Sequence, residues 1–361
     1  MKGCKDMQNI KKIQEKLKKE NLDGFLFSSK ANVFYLSKFS STNAYVIITQ
    51  NGKFFFTDAR YYEGAKEKLK DWNVILLKEK LNQLVEFIKD SNFKRLGFEK
   101  DKWTLSFYEK FAKENSLEDI LIGYEGFLDD IRIIKTEEEI NIIRQAVHKI
   151  DKVFEKIILQ IKEAKTELDL RRRIINAIFE EGGTSESFPA IVASGKASAV
   201  PHWETSENPI IWNNLLLIDM GLVYRGYCSD FTRTLFLGNV DKELEKIYEI
   251  VKEAHIEATN KVKEGIPIKE IDLTARKVIE KYGYGDYFIH STGHGIGVEI
   301  HEPPRIYKNV EEPLKENMVF TIEPGIYLPN KGGVRLENIV VCKKDGVEVL
   351  TKTPLDKVSI K

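Results

Sequence analysis

Apolar residues recur along this chain with two different periods, and each period predicts one kind of element. Between residues 22 and 125, six short runs rich in β-branched and aromatic residues are typical of strands: LDGFLFSS, NAYVIIT, KFFFTDA, WNVILLKE, KRLGFEK and EDILIGY. Amphipathic runs between them have helical period and predict helices over 60–70, 81–89 and 105–113. This alternation predicts an α/β domain.

Two local signals refine this first domain. Residues 1–20 have the pattern of an amphipathic helix. Asn51 and Gly52 stand between two strand-like runs, and both residues tolerate the positive φ of a type I′ turn. They therefore predict a hairpin with that turn.

The pattern changes near residue 129, where a long amphipathic helix is predicted. Thr136 and Glu139 have the spacing of a capping box, and apolar residues then recur at helical spacing as far as Ile158. Further helices are predicted over 168–181, 242–263 and 269–281, with strand pairs between and after them. We predict two domains, 1–127 and 128–361, each long enough to bury a core.

Composition and charge exclude several function classes. Lys plus Arg and Asp plus Glu both count 56, so no net field favours nucleic acid or an anionic membrane surface. No apolar run reaches the length of a membrane span, and the N-terminus lacks the apolar core of a secretory signal. Cys4, Cys228 and Cys342 have neither paired spacing nor an even number. We therefore expect a cytoplasmic protein without a disulfide framework, in which Cys228 is a buried strand thiol.

Candidate chemistry centres on the segment IHSTGHGIGVEIH at residues 289–301. It carries three of the six histidines, and its glycines allow close approach of the backbone. Two acidic pairs lie in separate hairpin-like runs on either side of it. These are Asp219 with Asp230 before the segment and Glu323 with Glu337 after it.

The spacing of each acidic pair predicts close carboxylates. Pairing the first two strands about Tyr224 and Arg225 places Asp219 directly opposite Asp230, with β-carbons about 4.5–5.5 Å apart. Carboxylates so close repel one another unless a proton or a cation lies between them. Glu323 and Glu337 repeat the arrangement about Asn330. Either pair alone could be a solvated edge feature, but two pairs with His294 predict a metal site.

The donor set also indicates the metal and the reaction. Four carboxylates balance the charge of two divalent cations. Oxygen-rich ligation with one imidazole suits Mn²⁺, Co²⁺ or Zn²⁺, whereas a structural zinc site would contain thiolates or more histidines. Two ions about 3.5–4 Å apart lower the pKa of a bridging water and stabilise a tetrahedral transition state. This is the chemistry of hydrolysis.

Six segments carry a resemblance to a known family: PHW, LIDMG, YCSDFTRT, HSTGHGIGVEIHEPP, TIEPGIY and GGVRLEN. They resemble the pita-bread metallopeptidases, in particular the Xaa-Pro aminopeptidases and Xaa-Pro dipeptidases (prolidases). The resemblance covers essentially the whole chain and implies an α/β creatinase-like N-terminal domain followed by an α+β pita-bread catalytic domain. Trp203 departs from the pattern, since an aliphatic or small residue would serve after His202.

The resemblance implies a role for each candidate residue. Two divalent ions, with Mn²⁺ favoured, would be held by Asp219, Asp230, His294, Glu323 and Glu337. Glu323 would also act as the base toward the water between the ions. The substrate pocket would be lined by His202, His290, His301 and Arg335. Two alternatives stay open, because His290 could orient a neighbour and Arg335 could form a structural ion pair.

The activity implied by the resemblance is hydrolysis of the bond between an N-terminal residue and a following proline. A metal-bridging hydroxide would attack a peptide or dipeptide bound to a homodimer. One alternative is a methionine aminopeptidase, which shares the metal set but normally lacks both the N-terminal domain and Arg335. Another is a non-catalytic binding module on the same fold, which has no physical need for four clustered acids.

Overall fold

The change of pattern near residue 129 separates two units of structure. The computed structural model describes residues 3–79 and 81–361, and side chains from residue 9 onward. The chain divides into the compact units Met1–Ile131 and Arg132–Lys361. The side chain of Cys4 lies outside the described part, whereas Cys228 and Cys342 are free and buried. Among the described helices, none has the length and apolar character needed to span a bilayer.

The first unit is a mixed sheet with helices. Its strands are β1 Gly24–Phe27, β2 Ala44–Thr49, β3 Lys53–Asp58, β4 Asn73–Leu77, β5 Leu96–Glu99 and β6 Leu121–Tyr124, in the order β4-β3-β2-β1-β5-β6. Its helices are α1 Gly3–Lys19, α2 Lys30–Ser37, α3 Ala59–Lys68, α4 Asn82–Asp90 and α5 Leu105–Tyr108, which continues as a π-helical turn over Glu109–Lys113. The short helix α6, Asp129–Arg132, contains the point in the sequence where the second unit begins. All six predicted strands are confirmed. The sheet buries Leu26, Ile47 and Phe56 against Leu84 and Ile88.

Two features of this unit differ from the prediction. The β2–β3 hairpin is present, but Ile48 pairs with Lys53, so the turn is centred one residue earlier and neither Asn51 nor Gly52 has positive φ. The prediction of a type I′ turn is therefore wrong. Helix α2 was not predicted, because its residues have strand propensity; Ser29 caps its first turn and Lys38 ends it with φ 55°.

The second unit pairs helices with two sheets. The helices are α7 Glu137–Gln160, α8 Glu167–Glu180, α9 Lys242–Asn260 and α10 Ile268–Lys281, with 3₁₀ turns at Ile161–Glu163, Gly195–Ala199 and Gly285–Tyr287. The predicted capping box of α7 is confirmed, because Thr136 and Glu139 each accept the other's backbone N–H. The predicted helices end within three residues of the observed ends.

The strands of the second unit form two main sheets, a three-stranded sheet and a hairpin. Their bounds are β7 Ser185–Glu186, β8 Ile191–Ser194, β9 Asn214–Met220, β10 Leu222–Tyr224, β11 Tyr227–Cys228, β12 Phe231–Leu237, β13 Gly293–Gly295, β14 Glu302–Ile306, β15 Val319–Ile322, β16 Gly325–Leu328, β17 Gly332–Arg335, β18 Asn338–Lys343, β19 Gly346–Val349 and β20 Ser359–Ile360. The main sheets have the orders β20-β12-β9-β8 and β14-β13-β15-β18-β19. The small sheet is β11-β10-β7, and β16 pairs with β17.

Each main sheet packs one face against a pair of helices. Phe154 of α7 and Ile174 of α8 pack with Ile218 and Phe231 of the first sheet. In the same way, α9 and α10 share a buried apolar cluster with β15 and β18. Burying side chains of this size contributes about 1.5–3 kcal/mol each. The helices therefore stabilise each main sheet from one face.

The predicted register of the first acidic hairpin is wrong by two residues. Tyr224 pairs with Tyr227, so the turn is Arg225-Gly226, where φ is 50° and 80°. This is the two-residue hairpin turn in which both central residues have positive φ, and glycine favours it. As a result Asp219 lies opposite Thr232 and not opposite Asp230.

The predicted register of the second hairpin is confirmed. Leu328 pairs with Gly332, and Asn330 adopts φ 63° at the centre of the loop. The same register continues in the outer strands, where Ile322 pairs with Asn338. Glu323 follows Ile322 on one strand, and Glu337 precedes Asn338 on the other. The two acids therefore lie opposite each other in this register.

Candidate active site

Strand ends bring the five predicted metal ligands to one cavity. Asp219 lies near the end of β9, Asp230 precedes β12 and His294 is the middle residue of β13. Glu323 follows β15 and Glu337 precedes β18. All five line a cavity of about 990 Å³. The two sheets thus deliver an imidazole and four carboxylates to the same space.

Three of these side chains form a tight cluster. One ligand atom from each of Asp230, His294 and Glu337 lies within 4.8 Å of the others. Nε2 of His294 is 3.5 Å from Oδ2 of Asp230 and 3.3 Å from Oε1 of Glu323. Nδ1 of His294 faces the carbonyl of Gly295 at 3.1 Å, which can only accept, so this nitrogen carries a proton. Nε2 is therefore the atom directed at the carboxylates.

The electrostatics of the cluster favour a bound cation. Burial raises the pKa of Asp230, Glu323 and Glu337, and the neighbouring carboxylates add to the shift. Burial alone lowers the pKa of His294, but its hydrogen bond to Asp230 and the charge of Glu323 raise it to about 9. Without a cation, the closeness of these negative charges in a buried site favours the protonated forms. Divalent ions would replace those protons.

One oxygen of Asp219 tests directly whether these residues suit a divalent cation. Oδ1 of Asp219 is buried and accepts no hydrogen bond from the described residues, whereas Oδ2 accepts one from Nη2 of Arg335 at 2.6 Å. A buried carboxylate oxygen without a partner costs about 1–3 kcal/mol or more. A divalent cation bound to Oδ1 would satisfy it. The residues present therefore fit a metal centre.

Arg335 is buried, and all three of its guanidinium nitrogens are engaged within the protein. Nη1 donates to the hydroxyl of Tyr327 at 2.9 Å and to the carbonyl of Pro201 at 3.3 Å. Nε donates to Oγ1 of Thr232 at 3.3 Å, and that hydroxyl in turn donates to Oε2 of Glu337 at 2.7 Å. Arg335 thus supports two of the candidate ligands, which favours the structural alternative for this residue over direct contact with a substrate carboxylate.

The ring of His290 is held on both sides. Nδ1 faces the carbonyl of Ser291 at 2.7 Å and so carries the proton, and Nε2 faces the hydroxyl of Tyr327 at 2.8 Å. Burial and the charge of Arg335 lower the pKa of His290 to about 3, so the ring is neutral at pH 7. A neutral ring accepts from Tyr327 through Nε2. This geometry favours the role of an orienting residue, although His290 also lines the cavity.

His202 and His301 have a different setting, because both side chains are exposed at the cavity. The ring of His301 contacts that of His294 edge to face, with centroids 4.3 Å apart. Partial burial of the ring and the charge of His294 lower the pKa of His301. An imidazole N–H at the open side of the cluster can donate a hydrogen bond to a developing oxyanion.

Two glycines of the histidine segment are required by close packing. A Cβ atom at position 293 would lie 1.9 Å from the carbonyl oxygen of Thr321, and one at position 295 would lie 2.2 Å from that of Pro303. Real Cβ atoms do not approach other atoms so closely. The glycines therefore let β13 enter between its neighbours and carry His294 into the cluster.

Sequence reasoning missed several polar residues around the cluster. Thr321 donates to Glu323 at 3.1 Å and accepts from the backbone N–H of His294. Tyr327 joins His290 to Arg335. Arg305 is exposed in the cavity and pairs with His294 in the β13–β14 ladder. Alternation could have indicated Thr321, which lies two residues before Glu323, and Arg305, which lies four residues after the pocket residue His301.

Comparisons with known proteins match two family models, one to each part of the chain. Residues 141–344 match "Metallopeptidase family M24" and residues 9–134 match "Creatinase/Prolidase N-terminal domain". The chain is 38% identical over 348 residues to the Xaa-Pro dipeptidase of Pyrococcus horikoshii, which covers 96% of this chain and 97% of that protein.

Solved structures give the same result. The Xaa-Pro dipeptidase from Bacillus anthracis superposes with a TM-score of 0.94 at 35% identity, over 98% of this chain and 100% of that one. The prolidase from Pyrococcus furiosus superposes with a TM-score of 0.88 at 39% identity, over 94% and 99%. The predicted fold, a creatinase-like domain followed by a pita-bread domain, is confirmed. This chain belongs to metallopeptidase family M24 and is a hydrolase with a candidate metal-binding cluster in its catalytic domain.

Proposed function

We propose that this chain is a metal-dependent exopeptidase that hydrolyses the peptide bond between an N-terminal residue and a following proline. The convergence of four acids and one histidine in one cavity carries the proposal. Similarity to proteins named Xaa-Pro dipeptidase, at 38% identity over nearly the whole chain, supports the substrate class. The match of residues 9–134 to the creatinase/prolidase domain weakens the methionine aminopeptidase alternative.

We propose that the metal centre contains two divalent ions, with Mn²⁺ favoured. Five side chains would hold them, namely Asp219, Asp230, His294, Glu323 and Glu337. The orphaned Oδ1 of Asp219 and the short distances around Nε2 of His294 support this set. When bound, such ions lower the pKa of a water molecule and polarise the scissile carbonyl.

The chain's own residues supply the remaining chemistry. The carboxylate of Glu323 would accept the proton of the attacking water, and Thr321 orients it with a hydrogen bond to Oε1. His202 and His301 would each donate an N–H to the substrate, at the scissile carbonyl and on its proline side. Tyr327 and His290 would hold Arg335 in place beneath Asp219.

The proposed setting of the enzyme is a cytoplasmic homodimer. The isolated cysteines favour a reducing compartment, and the family resemblance is the basis for the dimer. Sedimentation velocity on the purified protein tests the oligomeric state, and cell fractionation tests the compartment.

One assay tests the activity. Purified protein would be stripped with a chelator, reloaded with Mn²⁺, Co²⁺ or Zn²⁺, and given Ala-Pro, Ala-Pro-Ala and Met-Ala-Ser. We expect cleavage of at least one proline substrate, loss of activity on stripping, and two bound ions per chain. Release of methionine from Met-Ala-Ser, with no cleavage of either proline peptide, would indicate a methionine aminopeptidase. A loaded protein that leaves all three peptides intact would refute the catalytic proposal.

A further inference from the structure

Glu167 is a buried acid of the catalytic domain that lies outside the metal cluster. It is the first residue of α8 and is fully buried. Its carboxylate accepts hydrogen bonds from the backbone N–H of Ser194 at 2.9 Å, from Nε1 of Trp203 at 2.9 Å and from the backbone N–H of Ser206 at 3.4 Å. All three donors belong to the segment 194–206, which carries His202.

The backbone at the start of α8 makes a second set of hydrogen bonds to the same part of the chain. The N–H of Glu167 donates to the carbonyl of Asn208, and the N–H of Leu168 donates to that of Ser206, both at 2.9 Å. The Trp203 ring packs against a small apolar cluster formed by Ala193, Ala197, Leu217 and Ile191. The chain is therefore fixed on both sides of His202, and the residue next to it in sequence bonds directly to the buried acid.

Stability alone does not explain an acid at this position. No Lys or Arg forms an ion pair with Glu167 among the described residues, and burial raises the pKa of its carboxyl group. A buried carboxylate without a cation is costly compared with an apolar residue of similar size. Its three donors instead fix one conformation of the segment, as buried polar networks do.

We propose that Glu167 is a positioning residue that sets the place of His202 in the cavity by holding the indole of Trp203. The inference rests on the proposed function, in which His202 donates to the substrate. It also explains why a tryptophan occupies position 203, where the family resemblance would allow an aliphatic residue. An aliphatic residue cannot donate a hydrogen bond to Glu167, whereas the indole N–H can.

Two variants weaken the hydrogen bonding between Trp203 and Glu167 and leave a side chain of similar size at the substituted position. Trp203→Phe deletes the indole N–H and keeps a ring in the apolar cluster. Glu167→Gln keeps the length of the side chain but replaces one acceptor oxygen with an NH2 group, so the side chain cannot accept from both Ser194 and Trp203. We expect kcat on Ala-Pro to fall about tenfold in each, because small displacements of a group that contacts substrate are costly in rate. Bound metal, measured by mass spectrometry, should stay as in the wild type.

The first unit offers a matched control for each variant. Nε1 of Trp103 donates to Oγ of Ser28 at 2.8 Å, so Trp103→Phe removes the same kind of bond. Glu99 is buried and accepts the backbone N–H groups of Ser28 and Ser29 at 2.6 and 2.8 Å, so Glu99→Gln removes the same kind of charge. We expect both controls to lower the melting temperature and to leave kcat unchanged.

A double-mutant cycle separates positioning from general weakening. In a His202→Ala background, Trp203→Phe should change kcat by less than about twofold, because the residue it positions is absent. A tenfold fall in both backgrounds would overturn the inference, as would wild-type kcat in Trp203→Phe and Glu167→Gln. If the wild type itself cleaves no proline substrate, the proposed function fails instead, so the two failures are distinguishable.

Discussion

Arg335 and Asp219 form a buried ion pair in which Nη2 donates to Oδ2 at 2.6 Å. The pair leaves Oδ1 of Asp219 as the oxygen without a partner among the described residues. The guanidinium therefore determines which oxygen of the acid is presented to the cavity. Such orientation of a ligand by a neighbour is typical of metal sites in proteins.

The first prediction follows from this ion pair. Arg335→Lys keeps the positive charge but cannot donate to Asp219, Tyr327 and Thr232 at the same time. We expect affinity for Mn²⁺ to fall about 10–100-fold, the usual effect of losing a residue that orients a metal ligand. Titration against a chromogenic chelator measures it. Wild-type affinity together with a raised KM for Ala-Pro would instead assign Arg335 to the substrate.

The sequence predicted most of the elements, and its errors have physical causes. The six strands of the first domain and the helices of the second follow from local periodicity, which a single chain displays. The pattern of the first acidic hairpin predicts a turn at Tyr224 and Arg225, whereas the turn lies at Arg225 and Gly226, so the predicted pairing is two residues out of register. A shift of two residues keeps the same face of the strand, so Asp219 and Asp230 still reach the same cavity.

Contacts distant in sequence could not be predicted. The hydrogen bond from Trp203 to Glu167 spans 36 residues, and the one from Arg335 to Asp219 spans 116. Periodicity shows only that a side chain faces the interior. It does not show which distant residue that side chain contacts. The sequence therefore leaves both alternatives open for His290 and Arg335, and the choice depends on the positions of Tyr327 and Asp219.

The second prediction concerns the glycine before His294. A methyl group at position 293 would overlap the carbonyl of Thr321, so Gly293→Ala should displace β13 and destabilise the fold by about 1–3 kcal/mol or more. Gly346→Ala is the matched control, because no described atom outside residues 345–347 lies within 4 Å of its added Cβ. Urea unfolding measures both. Equal stability of the two variants would mean that β13 has room for a side chain.

The third prediction concerns Arg305. Its side chain is exposed in the cavity beside His294, and no acid pairs with it among the described residues, in contrast to Arg171, which pairs with Glu186. We expect Arg305 to attract the free carboxylate of a dipeptide. Arg305→Gln should then raise KM for Ala-Pro about tenfold and leave KM for Ala-Pro amide, which lacks that charge, near the wild-type value. An equal rise for both substrates would contradict this role.

The last prediction is a pH dependence of stability that arises from His255. This residue lies in α9, and burial with the charge of Arg233 lowers its pKa to about 3. The ordinary value in the unfolded chain is about 6.5. Between these values the unfolded state binds a proton that the folded state does not. The stability due to the neutral ring is therefore complete above pH 6.5 and is lost as the pH falls toward 3.

The expected slope is up to about 1.4 kcal/mol per pH unit within that window. Urea unfolding of the wild type and of His255→Leu at pH 7.5, 6.0 and 5.0 measures it by difference, because both proteins share every other titrating group. The wild type should lose stability faster than the variant as the pH falls. Parallel loss in the two proteins would show that His255 takes up its proton without unfolding of the chain.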